Sequence, residues 1–320
     1  MDKASSTIAA IAALAALGAA CSQSVVETEK SDTPARAIID AHLHSSFVGG
    51  DDAADLEKVL AAMDANGISR AVMMINEARD IGQWGAAAPG RFLLGPAFPC
   101  VALREDGVLS CAWDGEAWPD IDWLRAQYES GVFQVMGEML FVYAGVAPGD
   151  PRMDPYWALA AELGVPVGVH INRGPPKGTP SRPEGCCPDF NADLGDPSLL
   201  RPVLLKYPGL KIWLQHAGFP ATPEFDNIDY LEETFALLEE FPEVYADMTA
   251  LHSLAPPPVH EAAVKAFLDR GFIDRVMFGS DNWDAAAIVE RYEAMDFLTE
   301  DQKRGVFHDN AARFFGLAGE

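Results

Sequence analysis

From Ala37 onward, short runs of β-branched and aliphatic residues alternate with stretches whose apolar positions repeat at helical spacing. The runs predict strands at Ala37–His44, Ile68–Ile75, Phe92–Phe98, Val132–Leu140, Val165–Ile171, Lys211–Ala217, Val244–Thr249 and Arg275–Ser280. Amphipathic patterns predict helices over Asp55–Asn66, Ile121–Ser130, Pro155–Leu163, Asp226–Glu240 and His260–Arg270, then Asp284–Met295 and Asn310–Leu317. The crossover Asn76–Arg91 has the weakest helical pattern. Gly67, Gly131, Gly164 and Gly271 stand where helices should stop before the next strand.

Strict strand–helix alternation predicts a parallel sheet, and eight such units predict a single-domain α/β fold, a distorted (β/α)8 TIM barrel over residues 37–320. An open doubly wound sheet would carry a glycine-rich phosphate loop after its first strand, but here that strand runs into His42-Leu43-His44. The longest irregular insert, Asn172–Asp196, follows strand five, at the barrel end that gathers substrate contacts.

The amino end reads differently. Ile8–Ala20 is an unbroken apolar run, too short for the ~20 residues of a spanning helix and suited to the apolar part of a secretory signal over residues 1–20. Leu17-Gly18-Ala19-Ala20-Cys21 resembles a bacterial lipoprotein processing box, with Gly18 where leucine usually stands. A plain signal peptide, a lipoprotein lipidated on Cys21 and a retained anchor are all open, and each implies export. Residues 21–36 read as a linker. Cys100 and Cys111 flank an Asp106-Gly107 turn signal, which suits a disulfide across a small hairpin. The adjacent Cys186 and Cys187 are expected to be free thiols, because a bond between neighbours is strained.

Composition narrows the function classes. The 320 residues include 23 Lys and Arg against 48 Asp and Glu, a formal net charge of −25, with 49% hydrophobic residues. That apolar content supports a large core and excludes a mainly disordered chain. The charge disfavours nucleic acid and anionic lipid, which need basic surfaces. A small molecule is the expected partner, with membrane contact only through a lipid on Cys21.

Four of the seven histidines, His42, His44, His170 and His216, fall at or near the carboxyl ends of strands one, one, five and six, and Asp281 follows strand eight. A barrel brings those ends to one face. His42 and His44, two apart on a strand, point the same way. Imidazoles and a carboxylate so placed can chelate a divalent metal. Glu138, near the end of strand four, is a further candidate that could bridge two ions, with Gly137 leaving room. Its alternative is a rim carboxylate or a partner of Arg173.

Asp40-Ala41-His42-Leu43-His44, the later His170 and His216, and Gly279-Ser280-Asp281 resemble the amidohydrolase superfamily, most closely its amidohydrolase-related family 2. The terminal Asn310-Ala311-Ala312-Arg313-Phe314-Phe315-Gly316-Leu317 is similar to that group's closing helix. The resemblance implies one or two divalent metals, usually Zn2+, at the barrel mouth. It implies His42, His44 and His170 as ligands, His216 as a second-metal ligand or catalytic group, and Asp281 as ligand and proton shuttle. Strand four ends without a lysine, so either Glu138 bridges or the site is mononuclear.

The leading reaction is hydrolysis of an amide, lactone or ester of a small organic molecule by metal-activated water, with Asp281 as base and then acid. Arg173, with Asn172, could hold a substrate carboxylate or form a loop salt bridge, and Trp283 could wall the pocket or pack under a loop. Non-oxidative decarboxylation on the same scaffold is the first alternative. A non-catalytic metal-binding lipoprotein is the second, although no His-rich tract supports it.

Overall fold

The computed structural model describes residues 37–45, 56–78, 81–99, 118–179, 182, 184–217 and 229–317. The leader, the linker, Cys21 and the Cys100–Cys111 hairpin lie outside the described residues. Eight strands alternate with helices: β1 Ile38–His44, β2 Ile68–Ile75, β3 Phe92–Pro96, β4 Met136–Met139, β5 Val167–His170, β6 Ile212–Gln215, β7 Val244–Asp247 and β8 Val276–Met277. All pairings are parallel, in one sheet ordered β1-β2-β3 and another ordered β4-β5-β6-β7-β8.

Backbone hydrogen bonds also run between the two sheets. Phe98 bridges Met139 in parallel, and Phe98 N donates to Glu138 O at 3.1 Å. On the other side Ala41 N donates to Phe278 O at 2.9 Å, and Asp281 N to His42 O at 2.7 Å. The α/β class and the parallel pairing expected from the alternation are therefore present.

The strands are shorter than the apolar runs that predict them, because nearby groups take their backbone donors. Val132 N and Phe133 N donate to Gln127 O, at the end of the helix Ile121–Glu129, so β4 starts at Met136 rather than Val132. Phe278 N donates to Val306 O and Ser280 N to the Asp40 carboxylate, which ends β8 at Met277. The weak second crossover contains one short helix, Ile81–Ala87. The helix predicted from His260 starts earlier, at Pro257, since proline suits a first turn whose N–H groups have no helical partner.

Helix ends follow the sequence cues. Asp120 accepts from Asp122 N and Trp123 N, and Gly164 leaves the helix Asp154–Leu163 with φ 68°, a left-handed turn that favours glycine. The closing helix Asn310–Phe315 is fastened by its first residue, whose Nδ2 donates to Ile273 O and Val276 O beside β8. Phe314 and Phe315 pack edge-on against buried Trp213 of β6. One contrast with the sequence reading concerns the thiols: Cys186 and Cys187 are joined as a disulfide, so the free-thiol expectation is corrected.

Candidate metal centre

The carboxyl ends of β1, β4, β5, β6 and the segment after β8 bring one cluster together. His42 Nε2 and His44 Nε2 lie 3.2 Å apart, so the two-residue spacing does put both rings on one face. Glu138 lies among the imidazoles. Its Oε1 is 2.7 Å from His170 Nδ1 and 3.2 Å from His216 Nε2, and its Oε2 is 3.0 Å from His44 Nε2. Asp281 Oδ1 is 3.5 Å from His44 Nε2 and 3.7 Å from His42 Nε2. Two overlapping groups, His42–Glu138–His216 and His42–His44–Asp281, each keep their ligand atoms within 4.8 Å of one another and share His42.

The local backbone is unusual where these side chains emerge. His216, Asp281 and Asn282 have φ of 63°, 51° and 60°, and Ala250 and Asn172, just past β7 and β5, have 63° and 93°. Left-handed conformations are rare for residues bearing a Cβ and cluster where function over-determines the chain. Asn282 stabilises the arrangement from its side chain: Oδ1 accepts from His44 N at 2.9 Å and Nδ2 donates to His44 O at 3.0 Å. Gly137 is required for a reason other than room for a metal. A Cβ there would run into Gly168 O of β5, at a φ of 116°.

Beneath the cluster is a residue that the sequence reading missed. Asp247, at the end of β7, is fully buried, and its Oδ2 lies 3.2 Å from His42 Nδ1. Its Oδ1 accepts from His216 N, from Thr249 N and, at 2.8 Å, from the Thr249 hydroxyl. That hydroxyl also lies 2.7 Å from His216 Nδ1. An ionised carboxylate only accepts, so Nδ1 of His42 carries a proton and Nε2 is the ring nitrogen that faces the cluster. The available signal was position: Asp247 ends a strand as the histidines do.

Asp40 ties β1 to the segment after β8, since its Oδ1 accepts from His42 N and Ser280 N at 3.0 Å each, and burial pushes its carboxyl up to about 6.

The electrostatics describe a site built for a cation. Burial pushes Glu138 up, but hydrogen bonds from His170, His216, His42 and His44 outweigh it and hold the carboxyl well below its usual range. Burial opposes charge on His42, yet Asp247, then Asp281 and Glu138, raise it well above an ordinary imidazole. Burial lowers His170, while Glu138 outweighs burial and raises His216. Two Nε2 atoms facing each other at 3.2 Å repel unless a proton or a metal ion lies between them. His170 Nε2 is also buried without a hydrogen-bond partner. Imidazole and carboxylate donors at this density fit a divalent metal.

Other candidates fall outside the cluster. Arg173 Nε lies 3.4 Å from Asp229 Oδ1 and its Nη1 3.4 Å from Asp193 Oδ1, with the guanidinium over the Tyr230 ring, so it forms the loop salt bridge. Asn172 Oδ1 accepts from Gly174 N at 2.6 Å and shapes that loop. Trp283 sits beside the acid Asp281 with 38% of its surface exposed. His260 is buried in the helix Pro257–Asp269 against Tyr292.

Comparison with known proteins agrees with this geometry. A family model described as amidohydrolase matches residues 39–317. No curated protein matches. Among solved structures, the chain is similar to a "probable 2-pyrone-4,6-dicarboxylic acid hydrolase" from Acinetobacter baumannii, crystallised with citric acid bound. The TM-score is 0.58 at 13% identity, covering 87% of this chain and 99% of that one. It is similar to 5-carboxyvanillate decarboxylase from Sphingomonas paucimobilis (TM-score 0.53, 16% identity, 88% and 99% covered). It is also similar to 4-oxalomesaconate hydratase from Rhodopseudomonas palustris (TM-score 0.54, 14% identity, 87% and 95% covered). With its family model spanning nearly the whole described chain and its histidines and carboxylates gathered at the strand ends, the protein belongs to the amidohydrolase family.

Proposed function

We propose that the protein is a zinc-dependent hydrolase that cleaves an amide, lactone or ester of a small organic molecule. The observation that carries this reading is the isolation of the Asp281 carboxylate. Among the described residues it makes no hydrogen bond, it lies 3.5 Å and 3.7 Å from the two β1 imidazoles, and it keeps 15% side-chain exposure. Glu138 and Asp247, by contrast, are held by several donors each. Asp281 is thus the acid free to exchange a proton with entering water.

His42, His44, His170, His216, Glu138 and Asp281 would hold one or two ions, with Glu138 as the bridging group if there are two. A divalent cation supplies Lewis acidity toward water and a carbonyl oxygen. Asp281 accepts the proton of the water that adds to the carbonyl carbon. As the bond to nitrogen or oxygen breaks, it returns that proton to the leaving group. The reading includes closure of the eight strands into one barrel, supported by the hydrogen bonds Ala41–Phe278 and Phe98–Glu138 between the two sheets.

Decarboxylation is the second reading, supported by the fold shared with 5-carboxyvanillate decarboxylase. The test is a screen of zinc-loaded protein against lactones, amides, phosphoesters and aromatic acids. Hydrolysis by wild type, lost in Asp281→Asn with metal retained, is the expected result. Release of carbon dioxide would install the second reading, and retained metal without turnover on any substrate would indicate a carrier. Export through residues 1–20 is part of the proposal, with lipid on Cys21. Cys21→Ser should abolish lipid labelling, and unchanged labelling would remove that assignment.

A further inference from the structure

One arginine in the loop after β5 has no acidic partner among the described residues. Arg125, Arg152, Arg173, Arg201, Arg270 and Arg304 each meet a carboxylate, while Arg275, Arg291 and Arg313 give their guanidinium N–H groups to backbone or neutral side-chain oxygens instead. Arg182, in the loop after β5, meets none among the described residues. Its Nε is buried without a hydrogen-bond partner, and its Nη1 makes one long contact of 3.5 Å to Pro175 O.

Arg182 is nevertheless held in place. Its guanidinium lies over the Phe190 ring, 3.3 Å from the centroid. Phe190 meets Tyr143 edge-on at 5.7 Å, and Tyr143 meets His170 edge-on at 5.3 Å. Phe190 and Tyr143 thus connect the guanidinium to His170 of the cluster through three successive ring contacts. A buried guanidinium N–H without an acceptor is costly, and its geometry matches a bidentate carboxylate.

We infer that Arg182, braced on Phe190 beside Tyr143, is the binding residue for a carboxylate on the substrate. The substrate class is then a small organic acid whose carboxylate docks on the β5 loop while its scissile group reaches the strand ends. This role replaces Arg173, whose guanidinium is occupied by Asp229 and Asp193. The inference rests on the hydrolase reading for its substrate but not for its test.

The test is calorimetric titration of the zinc-loaded full chain with benzoate and with glutarate, using benzamide and glutaramide as uncharged controls. At least one acid should bind in preference to its amide. Arg182→Gln should weaken it by about tenfold or more, the value of a charge-assisted contact, with zinc content unchanged. Arg182→Lys should recover part of the loss, and Arg173→Gln should leave binding near wild type. Equal acid affinity in wild type and Arg182→Gln, loss in Arg173→Gln alone, or no preference for acid over amide would overturn the assignment. The two readings separate cleanly. Acid binding that depends on Arg182 without hydrolysis sinks the hydrolase and keeps the subsite, whereas hydrolysis together with acid binding that Arg182→Gln leaves unchanged does the reverse.

Discussion

Asp247 holds His42 from below: its Oδ2 lies 3.2 Å from Nδ1 of a histidine that belongs to both candidate ligand groups. The same carboxylate accepts from His216 N, so one buried acid orients residues from β1 and β6. Asp247→Asn keeps the shape but loses the charge, and with its amide oxygen held by the three donors on Oδ1 it turns an NH2 donor toward His42 Nδ1. Zinc affinity, measured by competition with a chromophoric chelator, should fall about 10–100-fold, the usual cost of removing a group that orients a metal-binding histidine. Unchanged affinity with an unchanged circular dichroism spectrum would show that His42 needs no such support.

The sharing of His42 makes a separate prediction about stoichiometry. His42→Ala removes a donor from both groups and should leave the purified protein essentially free of metal by elemental analysis. Glu138→Gln distinguishes one ion from two. A fall from two metals per chain to one indicates a bridging carboxylate, and one metal in both wild type and variant indicates a mononuclear site. Full metal content in His42→Ala would contradict the cluster as a binding site.

Gly137 tests how tightly β4 and β5 must approach. A methyl group there meets Gly168 O at a backbone angle that disfavours any Cβ. Gly137→Ala should cost about 1–3 kcal/mol or more in urea unfolding, through overpacking against backbone that cannot yield. Glu138 is the next residue, so zinc affinity should fall in the same variant. A neutral Gly137→Ala would mean that the two strands can separate freely.

At alkaline pH a buried phenol should weaken the fold. Burial pushes Tyr156 up to about 12 from 10, and its hydroxyl donates to Pro119 O at 2.7 Å. The folded state therefore keeps a proton that the unfolded chain loses first. The stability from this group is fully present below pH 10 and is lost as pH rises toward 12. Tyr156→Phe should cost about 1 kcal/mol near neutrality through the lost hydrogen bond and should flatten the alkaline decline in urea-unfolding free energy. A parallel decline in both proteins would assign it to other groups.

Much of this protein was legible from side-chain order alone. Alternation of apolar runs with helical patterns determines the α/β class and parallel pairing, because only crossover helices join parallel strands in that order. The period of two along a strand places His42 and His44 together, and the strand ends name His170, His216, Glu138 and Asp281. What only the tertiary structure decided is which partner each polar group meets. Asp247 became the support of His42 because β7 ends under β1, a juxtaposition across 205 positions that no local pattern encodes. Arg173 and Arg182 look alike in the Pro- and Gly-rich insert, but folding gives one of them Asp229 and leaves the other without an acid among the described residues. Local periodicity reports which face a residue occupies, whereas hydrogen bonding and charge pairing depend on distances of a few ångströms set by the packed chain.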